Sequence, residues 1–219
     1  MRGSRGLNWV EAIVVVAVIG ILAGILVPQM VQYTEDSRTV RAENECMVLG
    51  AAITSFNRDL GRWPTADGTS DTLPDALFFG ESAAGSPATM AAGVTSWLGG
   101  PRDFLDNHLL LNDPGGAAND YPSASQSGEG VWRGPYVYML AADPWGRRYY
   151  ANLGALWATD GAWAGSGDNL PRLAAYVLSA GPNGRIETFP RQDGSVTYGQ
   201  PVADRMYAIG GDDVAFKIK

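Results

Sequence analysis

The chain has one cysteine and one histidine in 219 residues. A lone cysteine, Cys46, excludes an intrachain disulfide, so the fold does not lean on oxidation. A lone histidine, His108, cannot supply half of a two-histidine metal motif. With Asp103 and Asp106 close by, it is expected at the surface or as a cap. The sequence has no phosphate-cradling loop, no nucleophile elbow and no cluster of histidine and carboxylates at ligand spacing, so no enzyme constellation emerges. Positive charge is scarce: 16 Lys and Arg stand against 23 Asp and Glu, a net charge of −7. With no basic stripe, nucleic acid is not expected as the main partner. Polar side chains are missing altogether from one stretch, Ala12–Val27, which reads AIVVVAVIGILAGILV.

That stretch organises the rest. With Val10 before it and Met30 and Val31 after Pro28 and Gln29, the apolar zone runs for about 20 residues, enough to cross a bilayer core of ~30 Å as a helix. Gly20 and Gly24 lie four apart, a small-xxx-small face that lets two helices approach closely. Glu11 is the one charge at its edge. A carboxylate there is expensive in lipid and implies a function with a positive partner. Arg2 and Arg5 precede the span and no comparable cluster follows it, which places the N-terminus in the cytoplasm and the bulk of the chain outside.

The helix should not stop at the membrane. From Gln29 to Gly61 there is no proline, and Gly50 alone interrupts. Glu35/Arg38 and Arg41/Glu45 stand at helical pair spacings. Cys46, Leu49, Ile53, Phe56 and Leu60 recur at steps of three and four, an apolar stripe for packing against a domain, and Cys46 on it reads as a small core residue. Gly61 is a stop signal, and Pro64 confirms it. The spacing predicts one helix from Leu7 to about Leu60, ~80 Å long at 1.5 Å per residue. The remaining ~160 residues suffice for one domain with a core of its own.

A basic hexapeptide ending in Gly6, followed by Leu7, then Glu11, then the apolar run, resembles the leader of type IV pilins and type II secretion pseudopilins. The resemblance implies that residues 1–6 are a leader removed by a prepilin peptidase between Gly6 and Leu7. It implies that Leu7 is N-methylated as the mature first residue, although the family usually has Phe there. Glu11 becomes the family's glutamate at mature position five, pairing with the N-terminus of a neighbouring subunit in a filament. Pro28 matches the helix-kinking proline. An ordinary signal anchor would explain the span but give Glu11 no role.

Beyond the helix, residues 65–130 are dense in Gly, Ser, Ala, Pro, Asp and Asn, and read as an insertion. Short helices are expected in it at Leu73–Gly80 and Pro101–Leu111, and an exposed loop at Asn112–Gly130. Tyr136–Leu140 and Arg148–Leu153 have strand composition, with Asp143-Pro144-Trp145-Gly146 as turn chemistry between them. Trp145 is expected to tuck back over the helix stripe. Ala155–Pro171 reads as a second exposed loop. Gly134-Pro135-Tyr136 with the Asp-Pro-Trp-Gly turn resembles the major pseudopilin of type II secretion systems. Ala174–Gly184 and Gly210–Val214 continue the resemblance as a strand plus turn and a closing acidic motif.

In major pseudopilins the loop between these two points binds Ca²⁺ and pins the C-terminal segment. Carried over, the candidate ligands are Asp212, Asp213 and Asn183, with backbone carbonyls of Ser179 and Gly181 and, more weakly, Glu187. Calcium takes six to eight hard oxygens, and Asn in place of the family's Asp removes a charge. The other reading is a solvated acidic turn capping a strand at Ala215–Ile218.

The expected fold is α+β and pilin-like: a long N-terminal helix, transmembrane in its first half, packed on a small antiparallel sheet with long loops. Its parts are the leader 1–6, the membrane or filament-core helix 7–31, a helical spine 32–61, the insertion 62–131 and the sheet region 132–219. The resemblance implies a non-enzymatic, single-pass inner-membrane subunit that assembles with copies of itself, with minor pseudopilins and with an inner-membrane platform. The function implied is a secretion pseudopilus; the alternative is a surface type IV pilus for adhesion, motility or DNA uptake.

Overall fold

A helix that starts on an asparagine cap runs on, past one proline, until a glycine stops it. In the computed structural model this helix, α1, spans Trp9–Leu60 without a break. The structure describes residues 8–64, 77–79, 89–90, 105–114, 121–123, 130–139, 142–151, 175–188 and 209–218. The chain divides into two compact units, Met1–Arg38 and Thr39–Lys219. In the first, α1 leaves its apolar side chains exposed from Trp9 to Val31, and Arg38 pairs with Glu35 at 2.8 Å. In the second, Ala42, Cys46, Leu49, Gly50, Ala52, Ile53, Phe56 and Leu60 are buried on one face of α1. This is the stripe expected from the sequence. Burying one such large apolar side chain contributes about 1.5–3 kcal/mol.

Gly61 ends α1 in the left-handed region at φ 70°, its N–H donating to the Asn57 carbonyl at 2.7 Å. A later segment finishes the cap. The Val131 N–H donates to the Asp59 carbonyl at 3.1 Å, satisfying one of the carbonyls that a helix end leaves open.

Four strands form an antiparallel sheet in the order β1 (Leu77–Phe79), β3 (Tyr149–Ala151), β4 (Tyr176–Ser179), β6 (Val214–Lys217). A parallel pair, β2 (Thr89–Met90) with β5 (Arg185–Ile186), lies beside it in sequence. β4 is central and buried along its whole length. Ala175 and Val177 join the core cluster formed with α1, as strand alternation requires of residues two apart. β6 comes close to the helix where Gly50 has no side chain: a Cβ there would lie 2.5 Å from the Phe216 ring. Cys46, fully buried, directs its thiol to the Val214 carbonyl at 3.7 Å, and burial pushes its pKa up. Glu45 accepts from Arg41 Nε at 2.7 Å and from the Tyr149 hydroxyl, tying α1 to β3. Burial, then Glu45, pushes the Tyr149 phenol up.

The structure corrects five local expectations. Leu77–Phe79 is a strand within the stretch expected to be helical at Leu73–Gly80, because three successive large apolar residues fit a sheet edge as well as a helix and β3 offers them partners. Tyr136–Met139 is not a strand. The Tyr136 N–H goes to the Leu109 carbonyl at 2.8 Å and its ring packs edge-on against Phe56, so it serves the core instead of a ladder. Trp145 is half-buried and stays outside the core cluster, which takes Trp63 and Trp132 at its margin. Tyr121, inside the stretch expected to be an exposed loop, is buried. Asn112, at φ 54°, binds the Tyr121 carbonyl and N–H at 3.1 Å each, as a strand would.

His108 is the fifth correction. It lies in the π-helical turn Asn107–Leu111, within the expected Pro101–Leu111 helix, and it is wholly buried. Its Nδ1 and the Tyr121 hydroxyl are 2.7 Å apart, and its carbonyl accepts from Trp132 Nε1 at 2.9 Å. Of the expected helix at 101–111, the described residues 105–111 carry the histidine on the inner face, where Leu105 and Leu109 are also buried. Ala155–Pro171 lies outside the described residues.

Burial pushes the His108 imidazole down to about 3, so the fold holds it neutral. The unfolded chain takes up a proton near pH 6.5. The stability that depends on neutral His108 is therefore complete above about pH 6.5 and is lost as pH falls toward 3, by at most about 1.4 kcal/mol per pH unit. Relative to His108→Gln, which takes up no proton, the full chain in detergent micelles should lose unfolding free energy between pH 7 and pH 5; a difference that stays constant over this range would contradict it.

Candidate functional site

Two places in the described structure gather the residues singled out by sequence. The first is the start of α1. Gly6 and Leu7 lie outside the described residues. Asn8, which the sequence reading passed over, caps the helix: its Oδ1 faces the Val10 N–H at 3.4 Å, and its carbonyl takes the Ala12 N–H at 3.1 Å. An asparagine directly before an apolar run is the signal that would have found it. Glu11 follows in the first turn and is exposed. A carboxylate there is favoured by the positive end of the helix dipole. Gly20 and Gly24 face open space, with nothing within 4 Å of an added Cβ.

Pro28 lies inside α1, which continues through it. Lacking an N–H, it offers no donor to the Gly24 carbonyl one turn earlier. A shallow apolar hollow follows, lined by Leu26, Val27, Met30, Val31 and Thr34. The Thr34 hydroxyl bonds back to the Met30 carbonyl at 2.8 Å, so its polar end is satisfied within the helix. One helix in the chain, α1, is long and apolar enough to cross a membrane among the described residues.

The second place is a clasp of three turns. Asp143, almost fully buried, sits at its base. Its Oδ1 accepts from the N–H groups of Trp145 and Arg147 at 3.1 and 2.7 Å, and its Oδ2 accepts from the Ser179 hydroxyl at 2.5 Å. The turn Gly181–Gly184 follows β4. There Asn183 donates its N–H to Asp212 Oδ2 at 2.9 Å, and its own Oδ1 accepts from the Arg185 N–H at 2.6 Å. In the closing turn, Asp213 Oδ2 accepts from the N–H groups of Glu187 and Thr188 at 2.8 and 2.6 Å. Glu187 folds its carboxylate over Gly211, where φ is 53° and an added Cβ would collide with it. The structure thus brings Ser179, Gly181, Asn183, Glu187, Asp212 and Asp213 into one region.

Some of the oxygens in this region are engaged. The Ser179 hydroxyl serves Asp143, Asn183 Oδ1 caps Arg185, and the Gly181 carbonyl accepts from Arg147 Nη1 at 2.6 Å. Asp212 Oδ1 and Asp213 Oδ1 are buried with no hydrogen-bond partner. Among the described residues, no group of three His, Cys, Asp or Glu side chains stands close enough to hold a metal ion. Asp213 is not part of a solvated turn either, being 7% exposed.

The helix followed by a small antiparallel sheet defines an α+β, pilin-like fold. Two proteins of Pseudomonas aeruginosa, each described as "Fimbrial protein", are 40% identical to this chain over 55 residues. The match takes in 25% of this chain, and the chain spans about a third (36%) of the length of these curated relatives. No family model matches the chain, and no solved structure matches it. The local likeness supports a pilin-type chain.

Burial holds Asp213 up to about 6, against the hydrogen bonds from Thr188 and Glu187 that favour its charge. A raised folded pKa adds stability at low pH that is lost as pH climbs through the window from about 4 to about 6. Relative to Asp213→Asn, the wild-type chain should therefore gain stability as pH falls from 7 to 4. Denaturant melts at the two pH values measure this; a constant difference between the two proteins would contradict it.

Proposed function

We propose that the chain is a structural subunit that assembles through α1 into a helical, type IV pilin-like filament. One observation carries this reading: from Trp9 to Val31 the helix presents Val, Ile, Leu and Met side chains that no described residue covers, and places a single acid, Glu11, among them. Such a surface needs lipid before assembly and copies of itself afterwards, because bare apolar area of this extent is not stable in water. Within this reading, a prepilin peptidase cuts between Gly6 and Leu7 and methylates Leu7. The new amine of one subunit then meets Glu11 of its neighbour, and the pairing sets the register in a region where an unpaired charge is costly.

The finer proposal is a pseudopilin of a type II secretion system, in the inner membrane with its head outside the cytoplasm, working with minor pseudopilins and a membrane platform. Gly134-Pro135-Tyr136 and Asp143-Pro144-Trp145-Gly146 support it, as does the lack of a second cysteine with which Cys46 could close a disulfide. The fimbrial relatives favour a second reading, a surface pilus.

In a host with an active prepilin peptidase, intact-mass analysis should give a chain that begins at methylated Leu7. Glu11→Ala should be processed and inserted like the wild type but yield few filaments in sheared fractions. Filaments at the wild-type level from Glu11→Ala would remove the role given to this carboxylate.

A further inference from the structure

Within the head, α1 has two faces, and the described residues cover one of them. Ala42, Cys46, Leu49, Ile53 and Phe56 are buried. Two residues before each of these stands an exposed one: Val40, Asn44, Met47, Ala51 and Thr54. A step of two residues turns about 200° around a helix, so these residues form a seam on the opposite face, repeating at steps of four and three. Val40 is 55% exposed, and Met47 and its neighbour Val48 are each 52% exposed. The two polar members of the seam spend their donors inside the helix. Asn44 Nδ2 donates to the Val40 carbonyl and the Thr54 hydroxyl donates to the Gly50 carbonyl, each at 2.8 Å. What the seam presents outward is therefore mostly apolar. Single exposed apolar residues are ordinary, but a row of them at helix-packing spacing is a surface for another helix.

We propose that in the filament this seam is covered by the apolar span Trp9–Val31 of a second copy of the chain. The inference rests on the filament reading and extends the contact between copies into the head. The seam is continuous in sequence with the surface which that reading gives to neighbouring copies: Leu26, Tyr33, Val40 and Met47 follow at seven-residue steps, and all four are exposed. Subunits that all point the same way in an open helical assembly join unlike patches, so the seam of one copy is not closed by the seam of the next. The Trp9–Val31 span is an unlike apolar surface of the right shape, and it is exposed on all sides. Two parallel helices shifted by about 40 Å along their length bring the two stretches side by side. The neighbour whose amine meets Glu11 is shifted by only a few residues, so a different copy covers the seam.

Thiol labelling and photo-cross-linking of the full chain test this. Cys46 is buried, so the wild type should take up no maleimide in detergent micelles or in sheared filaments. Met47→Cys should be labelled in micelles and lose that labelling in filaments. If Met47→Cys does not assemble, Ala51→Cys, a smaller change on the same seam, should show the same loss. Met47→p-benzoylphenylalanine should cross-link, in filaments alone, to a peptide from residues 9–31 of another copy. Seam labelling that persists in filaments, or a cross-link that falls only on another head or on lipid, would overturn the proposal and leave the filament reading standing. A wild-type chain that is processed at Leu7 but forms no filaments would overturn the filament reading itself, and this inference with it.

Discussion

One helix has to satisfy two solvents, and everything else in the chain accommodates that demand. Up to Val31, α1 offers apolar side chains on all sides, and among the described residues nothing covers them. From Ala42 onward, it offers a single buried stripe, and a four-stranded sheet covers it. The first half is stable where water is absent and the second where a folded head exists. Between them, Glu35–Arg38 and Arg41–Glu45 keep the helix intact through the polar stretch with pairs that are individually weak at an exposed surface. Pro28 removes one hydrogen bond, yet α1 continues through it.

The head meets its side of the demand with polar anchors as well as packing. Glu45 draws Tyr149 onto α1, Cys46 approaches β6, and Gly50 admits the Phe216 ring. At the far end of the sheet, acids bind backbone N–H groups instead of bases: Asp143, Asp212 and Asp213 each close a turn. Carboxylates used this way organise loops that have too little apolar surface to organise themselves. They also load the region with negative charge.

Local periodicity made α1 legible almost to the residue, because 3.6-fold spacing and a glycine stop act within the element itself. The strand at 149–151 was legible from composition, the strand at 176–179 and the region of the closing acids from the resemblance, and the strand at 214–217 from the alternative reading of the acidic turn. What the sequence did not reveal depends on distant partners. Leu77–Phe79 is a strand because β3 lies next to it, and Tyr121 is buried because Asn112 and His108 hold it. His108 was expected at the surface because polar neighbours in sequence surround it; the face it occupies is set by Leu105 and Leu109. Arg147 has no local signal, since its two carbonyl partners lie more than thirty residues away.

The central claim is that the uncovered half of α1 is completed by copies of the same chain, registered by Glu11. An electron cryo-microscopy reconstruction of assembled filaments tests it most directly. The account predicts a bundle of Trp9–Val31 helices at the filament axis, with the Glu11 carboxylate of each subunit within hydrogen-bonding distance of a neighbour's terminal amine. A filament held together by contacts between heads, with these helices apart or Glu11 facing solvent alone, would contradict it.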